Sequence, residues 1–357
     1  GASFLKDDLS LSSPPYTFVP NPVMGNSTRL TSRNTILQSS ENSVNAGAFA
    51  NSTTMILAGH FSAKSQNSTF HNLLMVDSDS GQVTGLPNGT IDLTSTFQEL
   101  FVQDNMLYAG GSITGQVANH QVSGLVFYDL KQGGYSSTQP PGLTGDQAVV
   151  TSVEVRPNTN DLVVAGSFEQ AGGLACTSFC IFDLSSNRWK SPTPGLTGLV
   201  SSMAFIGNDV LILAGDLTLN STNVFLAQYD FGTMQYTTFE GQSSTLPGPI
   251  NSFVLNGNGV DSVFASGLDS STGNAYVSHW NGTAWNSIDS VMKSGSVITK
   301  LVLLELATHH TENSVLAENQ VLLMSGNIEL DNFGSASGVF FDGTSYQAAS
   351  GKRACTH

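Results

Sequence analysis

Two cysteines, Cys176 and Cys180, which flank Thr-Ser-Phe, are the residues of this chain most suited to covalent chemistry. A fully extended chain would hold their Cα atoms too far apart for a disulfide, so a bond requires the loop to bend back. Gly172 and Gly173, just before the pair, supply that flexibility. We expect a disulfide in an exported protein and two free buried thiols in a cytosolic one. If the pair is bonded, Cys355 is either free or paired outside this sequence.

Other residue groups resemble metal or ligand sites only superficially. A lone Cys-x3-Cys is a poor zinc motif, because there is no second cysteine pair and the histidines are scattered. The segment 77–81 (DSDSG) resembles the start of a calcium loop, but no Glu follows at the needed position, so we predict a polar hairpin turn. His309, His310 and Glu312 are interpreted as a solvated loop, and His60 as a hydrogen-bonded core residue rather than a ligand-binding one. We therefore predict no metal and no cofactor.

Motifs for catalysis are equally lacking. The sequence contains no nucleophile elbow, no phosphate-binding glycine loop and no HExxH. We predict no catalytic residue and a protein that is not an enzyme, although a site assembled from distant segments leaves no such motif. A copper oxidase or glycosidase on a propeller scaffold, and a secreted lectin, are the alternatives.

Six Asn-x-Ser/Thr sequons are candidates for N-glycosylation in a secreted protein: Asn26, Asn51, Asn67, Asn88, Asn220 and Asn281. Because Asn, Ser and Thr are abundant, chance alone gives about six. The sequons therefore do not establish secretion.

The composition excludes some classes of partner. Of 357 residues only 11% are charged, and the net charge is −15. Nucleic acid and anionic membrane surfaces require a basic patch, so neither is an expected partner. There is no run of eighteen apolar residues and no apolar core of a signal peptide. A chain that begins without Met is expected to be a processed form or a piece of a longer protein.

The elements that position these residues repeat along the chain. An apolar run ends in a small pair at a spacing of 51, 56, 49, 51 and 60 residues, beginning at Ala58, Ala109, Ala165, Ala214, Ala265 and Ser325. A second run ends in a turn residue at Asp77, Asp129, Asp183, Asp230, Asn281 and Asp342. After each turn an apolar or aromatic residue marks the start of the next strand, at Val83, Tyr135, Trp189, Tyr236, Trp285 and Tyr346. Each unit opens with an alternating run that contains Val44, Phe97, Val150, Val200, Ile250 or Ile298.

Six units of four short strands predict an all-β fold, a six-bladed kelch-like β-propeller. Seven blades are the alternative if the N-terminal segment builds most of a blade. We attribute the small pairs to crowding of the inner strands and to glycine's freedom at strand ends. The predicted organisation is an extended arm over 1–40, the propeller over 41–349 and a tail over 350–357. The segment HHTENSVLAEN within the longest spacing is predicted to be an inserted loop.

The cysteine unit also resembles a known family. The run AGSFEQAGGLACTSFCIFDLSSNRWKSPTPGLTGLVSSMAF, over 165–205, is similar to a segment of the fungal bipolar bud-site-selection, or polarised-growth, membrane proteins. ILAGDLTLNST, LPGPINSF, HWNGTAWNSI and LLMSGNIELDNFGSASGVFFDGTSYQ match in order, so that the resemblance covers about 145–348.

That resemblance implies a type I membrane glycoprotein with an ectodomain of propellers, which marks sites of polarised growth together with a companion multi-pass membrane protein. Cys176 and Cys180 match the family's cysteine pair, and Asn281 lies in a matching turn. The resemblance brings no catalytic residue. We therefore expect an extracellular or cell-surface binding module for a protein or cell-wall glycan partner. This sequence contains no membrane span of its own.

Overall fold

The structure is a computed structural model that describes residues 35–37, 43–65, 68–87, 90–117, 119–239, 246–307, 309–331 and 334–348. The described residues fall into two units, the first ending at Val200 and the second beginning at Ser201. Most of the predicted arm, the tail with Cys355, and the sequons at Asn26, Asn67 and Asn88 lie outside the described residues. No helix in the described part of the chain is long and apolar enough to cross a membrane.

The first unit contains three four-strand antiparallel meanders and one smaller sheet. The first meander comprises β2 (Ser43–Phe49), β3 (Thr54–Ser65), β4 (Ser68–Asp77) and β5 (Val83–Gly85), and β1 (Thr35–Leu37) pairs with the far end of β3. The second comprises β6 (Thr96–Gln103), β7 (Met106–Val117), β8 (His120–Asp129) and β9 (Gly134–Tyr135). The strands of the small sheet and of the third meander alternate along the chain. In order they are β10 (Leu143–Thr144), β11 (Val149–Val155), β12 (Asp161–Ser167), β13 (Gln170–Ala171), β14 (Leu174–Ala175), β15 (Phe179–Asp183) and β16 (Arg188–Lys190). The small sheet has the order β10-β13-β14, and the meander has the order β11-β12-β15-β16.

The second unit repeats the meander three times. The first of these comprises β17 (Leu196–Ile206, which begins before the boundary), β18 (Val210–Leu219), β19 (Thr222–Asp230) and β20 (Gln235–Thr238). The next comprises β21 (Ile250–Leu255), β22 (Val263–Leu268), β23 (Ala275–Trp280) and β24 (Trp285–Ser287). The last comprises β25 (Val297–Glu305), β26 (Gln320–Leu330), β27 (Gly334–Phe341) and β28 (Tyr346–Ala348).

The repeated residues predicted from the sequence occupy matching places in all six meanders. The small pairs lie in the second strand, the Asp or Asn residues end the third strand or directly follow it, and the apolar or aromatic residues lie in the fourth. The inserted loop is also confirmed, since none of the described residues between Glu305 and Gln320 belongs to a strand. Middle strands such as β12 are buried on both faces, which explains their continuous apolar runs.

The core of the first unit includes a row of aromatic rings that crosses its second and third meanders. Tyr108 packs edge-on against Phe127 at 4.9 Å between ring centroids, and Phe127 against Phe182 at 5.6 Å. Trp189 of β16 completes the row at 5.0 Å from Phe182. The aromatic residue that opens the fourth strand therefore fixes that edge strand to the core.

Glycine in the small pairs is required by a close backbone approach. A Cβ at Gly166 would lie 2.0 Å from the carbonyl oxygen of Val149, and one at Gly59 would lie 2.0 Å from that of Ser43. Neither glycine has a positive φ. Our attribution to glycine's backbone freedom is therefore wrong at these two positions: the first strand of the same sheet leaves no room for a side chain.

The Asp residues at the ends of the third strands close the following turns. Asp183 Oδ1 accepts backbone N–H groups from Ser185 at 2.9 Å and Ser186 at 3.1 Å. Lys190 Nζ lies 2.8 Å from the other carboxylate oxygen. The hydrogen bond from Lys190, followed by those from the two backbone amides, lowers the pKa of Asp183 well below its usual value.

A side chain of one first strand hydrogen-bonds to the backbone of the first strand of a following repeat. Asn45 Nδ2 donates to the carbonyl oxygen of Phe97 at 3.0 Å. The hydroxyl of Thr151 donates to Val200 O in the first unit, and that of Ser201 donates to Ile250 O in the second. These side chains link first strands that are about one repeat apart in the chain, and Asn45 and Thr151 stand at bulges.

Candidate functional site

The two cysteines close a short loop directly after a hairpin that lies between the second and third strands of the third meander. β13 and β14 lie between β12 and β15, and Cys176 and Cys180 form a disulfide with their Cα atoms 5.7 Å apart. The predicted bending of this loop is confirmed, and both cysteines are buried. Ser178, inside the closed loop, has a φ of 69°, which lets the short ring turn back.

One side of this hairpin is attached to the segment that precedes β11. Gly172 N donates to Gly142 O at 2.9 Å, and Trp189 Nε1 donates to Pro141 O at 2.8 Å. Gly172 has a φ of 59°, and a Cβ there would lie 2.7 Å from Pro141 Cβ. Only glycine therefore fits at this point of the hairpin.

The other side is attached to β17. Thr177 Oγ1 donates to Leu196 O at 3.1 Å, and Ser178 Oγ donates to Gly198 O at 2.8 Å. The disulfide, the backbone pairing with β10 and these hydroxyls hold the hairpin from three directions. A surface loop held in this way loses little conformational entropy on binding.

The exposed part of the hairpin combines apolar and acidic groups. Leu174 is 38% exposed, and Leu199, one residue beyond the Gly198 contact, is 40% exposed. Asp146 and Glu169, on either side of the β10–β13 pairing, are also exposed. We define the hairpin surface as residues 172–175 with Leu199, Asp146 and Glu169. The disulfide, the pairing with β10 and the Thr177 and Ser178 hydroxyls fix the backbone of this surface.

Two carboxylates on neighbouring first strands form the second notable group. Glu154 of β11 is partly buried, and burial, followed by the negative charge of Glu99 on β6, raises its pKa to about 7. No pattern in the sequence points to this pair, because its members are 55 positions apart and come together only when β6 and β11 pack side by side.

The remaining predicted residues have ordinary structural contacts. His60 Nδ1 lies 3.1 Å from Ser95 O, and His309 Nδ1 lies 3.0 Å from Glu318 Oε1. Asp77 Oδ1 accepts from the Ser80 amide at 2.8 Å, as in a hairpin turn. Within the described ranges no three His, Cys, Asp or Glu side chains converge as a metal site would require.

Three sequons lie in the described part of the chain. Asn51 and Asn281 are exposed, and each Oδ1 accepts a hydrogen bond from the hydroxyl of the Thr two residues on. Asn220 is exposed in the turn between β18 and β19, with a φ of 49°. All three are accessible positions, and their modification stays a prediction.

Comparison with known proteins gives consistent matches. The family model described as "Rax2 C-terminal beta propeller domain" matches residues 125–348. "Polarized growth protein L1" of Phoma sp. is 36% identical over 301 residues, which cover 82% of this chain and 22% of the relative. "Polarized growth protein RAX2" of Candida albicans is 26% identical over 317 residues, which cover 84% and 22%. The chain therefore spans about a fifth of the length of these curated relatives.

The fold also resembles a solved structure. A chain of "Crystal Structure of Mitotic Checkpoint Complex" superposes with a TM-score of 0.52 at 14% identity, covering 96% of this chain and 83% of that one. This likeness concerns the fold alone. Together with the repeated meanders and the family match, it confirms the predicted all-β propeller.

Proposed function

This chain belongs to the family of Rax2 C-terminal beta propeller domains, and on that premise we propose that it is a non-catalytic binding or scaffolding module of a polarised-growth protein. We further propose that each of the six meanders is one blade. The relatives are named as growth proteins rather than as enzymes. Because the chain matches only part of their length, the module acts as one portion of a longer protein.

The observation that carries this proposal is the construction of the hairpin surface. A hairpin held by a disulfide and by hydrogen bonds on both sides keeps Leu174 partly exposed, although an apolar side chain is more stable when buried. Small, rigid apolar surfaces with a polar border are typical of protein contact sites. The acidic border formed by Asp146 and Glu169 favours a partner with basic groups.

We assign the module to the cell surface, with a protein or a cell-wall glycan as its partner. Two observations support this location: the disulfide and the resemblance to a family of membrane glycoproteins. The three exposed sequons are compatible with it. A companion membrane protein is one partner of this kind. In this proposal the contact is made by the propeller's surface.

The proposal is tested by changing Leu174→Asp in the full-length parent protein, produced in its own fungus. We expect new growth sites to be misplaced while the amount of protein at the cell surface stays normal. Met234→Asp is the matched control, since Met234 is 56% exposed in the turn before β20 and belongs to the second unit. Normal growth-site placement with Leu174→Asp would contradict a role for the hairpin surface.

The cellular location is tested by the intact mass of the protein purified from its natural host. Enzymatic deglycosylation should lower the mass, and reduction should add two hydrogens for the pair Cys176–Cys180. A mass that neither treatment changes would place the protein in a reducing compartment and would contradict the cell-surface assignment.

A further inference from the structure

A cleft in the second unit lies next to the inserted loop and is not part of the hairpin surface. Its volume is about 480 Å³, and its walls are the turn between β21 and β22, with Asn256 and Ser262, and residues 312–318. This volume is within the range of small-ligand sites, about 300–1,000 Å³.

The wall formed by the inserted loop is held in one conformation by Asn313. Its Oδ1 accepts the backbone N–H groups of Val315 and Leu316, both at 2.9 Å, and its Nδ2 donates to Asp342 O at 2.8 Å. The side chain of Leu316 is only 2% exposed and packs in the core of the last meander. The loop is therefore anchored by both a polar and an apolar side chain, so this wall of the cleft has a fixed conformation.

On the opposite wall, the side chains of Asn256, Ser262 and His279 form a chain of hydrogen bonds. Asn256 Nδ2 donates to Ser262 Oγ at 3.1 Å, and Ser262 Oγ lies 2.9 Å from His279 Nε2. His279 is 4% exposed and stacks on Phe264 at 4.5 Å. Burial lowers the pKa of His279, and its Nε2 and the Ser262 hydroxyl share one hydrogen bond. The amide oxygen of Asn256 accepts no hydrogen bond from the described residues and remains an acceptor at the cleft.

The charged groups of the cleft are negative. Glu312 forms no ion pair with any described residue, and Glu318 pairs with His309, a group that is charged only when protonated. Neither lysine nor arginine is among the lining residues. The cleft thus offers carboxylates and an amide oxygen, which are all acceptors, within a chain of net charge −15.

We propose that this cleft binds an organic cation through an ammonium or guanidinium group. Such a group presents several N–H donors with a positive charge, and charge-assisted hydrogen bonds to carboxylates are the stronger kind. A bare metal ion fits less well, because no three ligating side chains converge among the described residues. The source of the cation is either a basic side chain of a partner protein or a free amine. This proposal is independent of the hairpin surface.

The test is a titration of the isotopically labelled chain, followed by amide NMR. The probe is N-acetyl-arginine amide, and the matched probe is N-acetyl-citrulline amide, which has almost the same shape but no charge. We expect saturable shifts for Ser314, Ala317 and Gly257 with the arginine compound only. Glu312→Gln should weaken binding about five- to tenfold, and Glu305→Gln, an exposed change at the end of β25, should leave it unchanged.

The outcomes separate clearly. Equal shifts with the citrulline compound, no saturable shift with either compound, or unaltered affinity in Glu312→Gln would each overturn the proposal. Spermidine and glucosamine form a second arm of the test. Tighter binding of either amine than of the arginine compound identifies a free amine as the source, and the reverse order identifies a protein side chain. Signals away from the cleft report whether the variants remain folded.

Discussion

Replacement of Glu154 by Gln should stabilise the protein above neutral pH. The pKa of Glu154 is raised from 4.5 to about 7, first by burial and then by the charge of Glu99. The folded protein therefore retains a proton that the unfolded chain releases between about pH 4.5 and 7. Across that window the free energy of unfolding falls as the pH rises, and above it this contribution is constant.

The size of the effect on the free energy of unfolding follows from the shift in the pKa of Glu154. A change of this size corresponds to at most about 3 kcal/mol. Because Glu154 is only partly buried and solvent screens its charge, we expect a gain of about 1–2 kcal/mol at pH 8 for Glu154→Gln. Below about pH 4.5 the acid is protonated in both states, and the two proteins should be equally stable.

Urea unfolding followed by tryptophan fluorescence, at several pH values from 4 to 8.5, measures this difference. Contributions from other carboxylates are shared by both proteins and cancel in the comparison. Glu99→Gln should reduce the pH dependence without abolishing it, since burial is the larger cause. Glu305→Gln, an exposed change, is the control. If Glu154→Gln lost stability between pH 5 and 8 as steeply as the wild type, the reasoning would be refuted.

Three further changes test the fold. Gly166→Ala should destabilise the protein by about 2–3 kcal/mol in a denaturant titration, because the new Cβ would overlap Val149 O. Gly134→Ala is the control and should have almost no effect, since nothing lies near the position of its Cβ. Equal losses of stability in the two variants would contradict the steric explanation. Thr151→Val should lower the free energy of unfolding by about 1 kcal/mol, because it removes the hydrogen bond to Val200 O. An unchanged midpoint of denaturant unfolding would show that this bond does not stabilise the protein. Asp183 has a lowered pKa, so its stabilisation is present above about pH 4 and is lost as the pH falls further. In acid titrations Asp183→Asn should therefore lose less stability than the wild type below pH 4, and identical acid unfolding curves would contradict this.

The repeat was readable from the sequence because each meander uses the same local chemistry. Ala165, Asp183 and Trp189 mark the second strand, the turn and the fourth strand, and each of these roles depends on neighbours close in the chain. For Cys176 and Cys180 the sequence left two alternatives, a disulfide in a bent loop or two free thiols, and the structure has the disulfide.

Contacts between distant segments were not predictable in the same way. The small sheet requires Leu143 to pair with Ala171, and β10 is only two residues long, too short for a periodic pattern. The raised pKa of Glu154 depends on the packing of β6 beside β11, which strand periodicity within either segment does not encode. The cleft, similarly, depends on which side chain of the inserted loop enters the core.

The most direct test of the binding role is site-specific photo-cross-linking in the living fungus. A photoreactive amino acid replaces Leu174 in the full-length protein, and the matched control carries it at Met234. The account predicts a discrete cross-linked species from position 174 that position 234 does not give and that Glu169→Lys weakens by reversing a charge at the border of the hairpin surface. The same cross-linked species from both positions, or none from position 174, would contradict the hairpin surface as the site of contact.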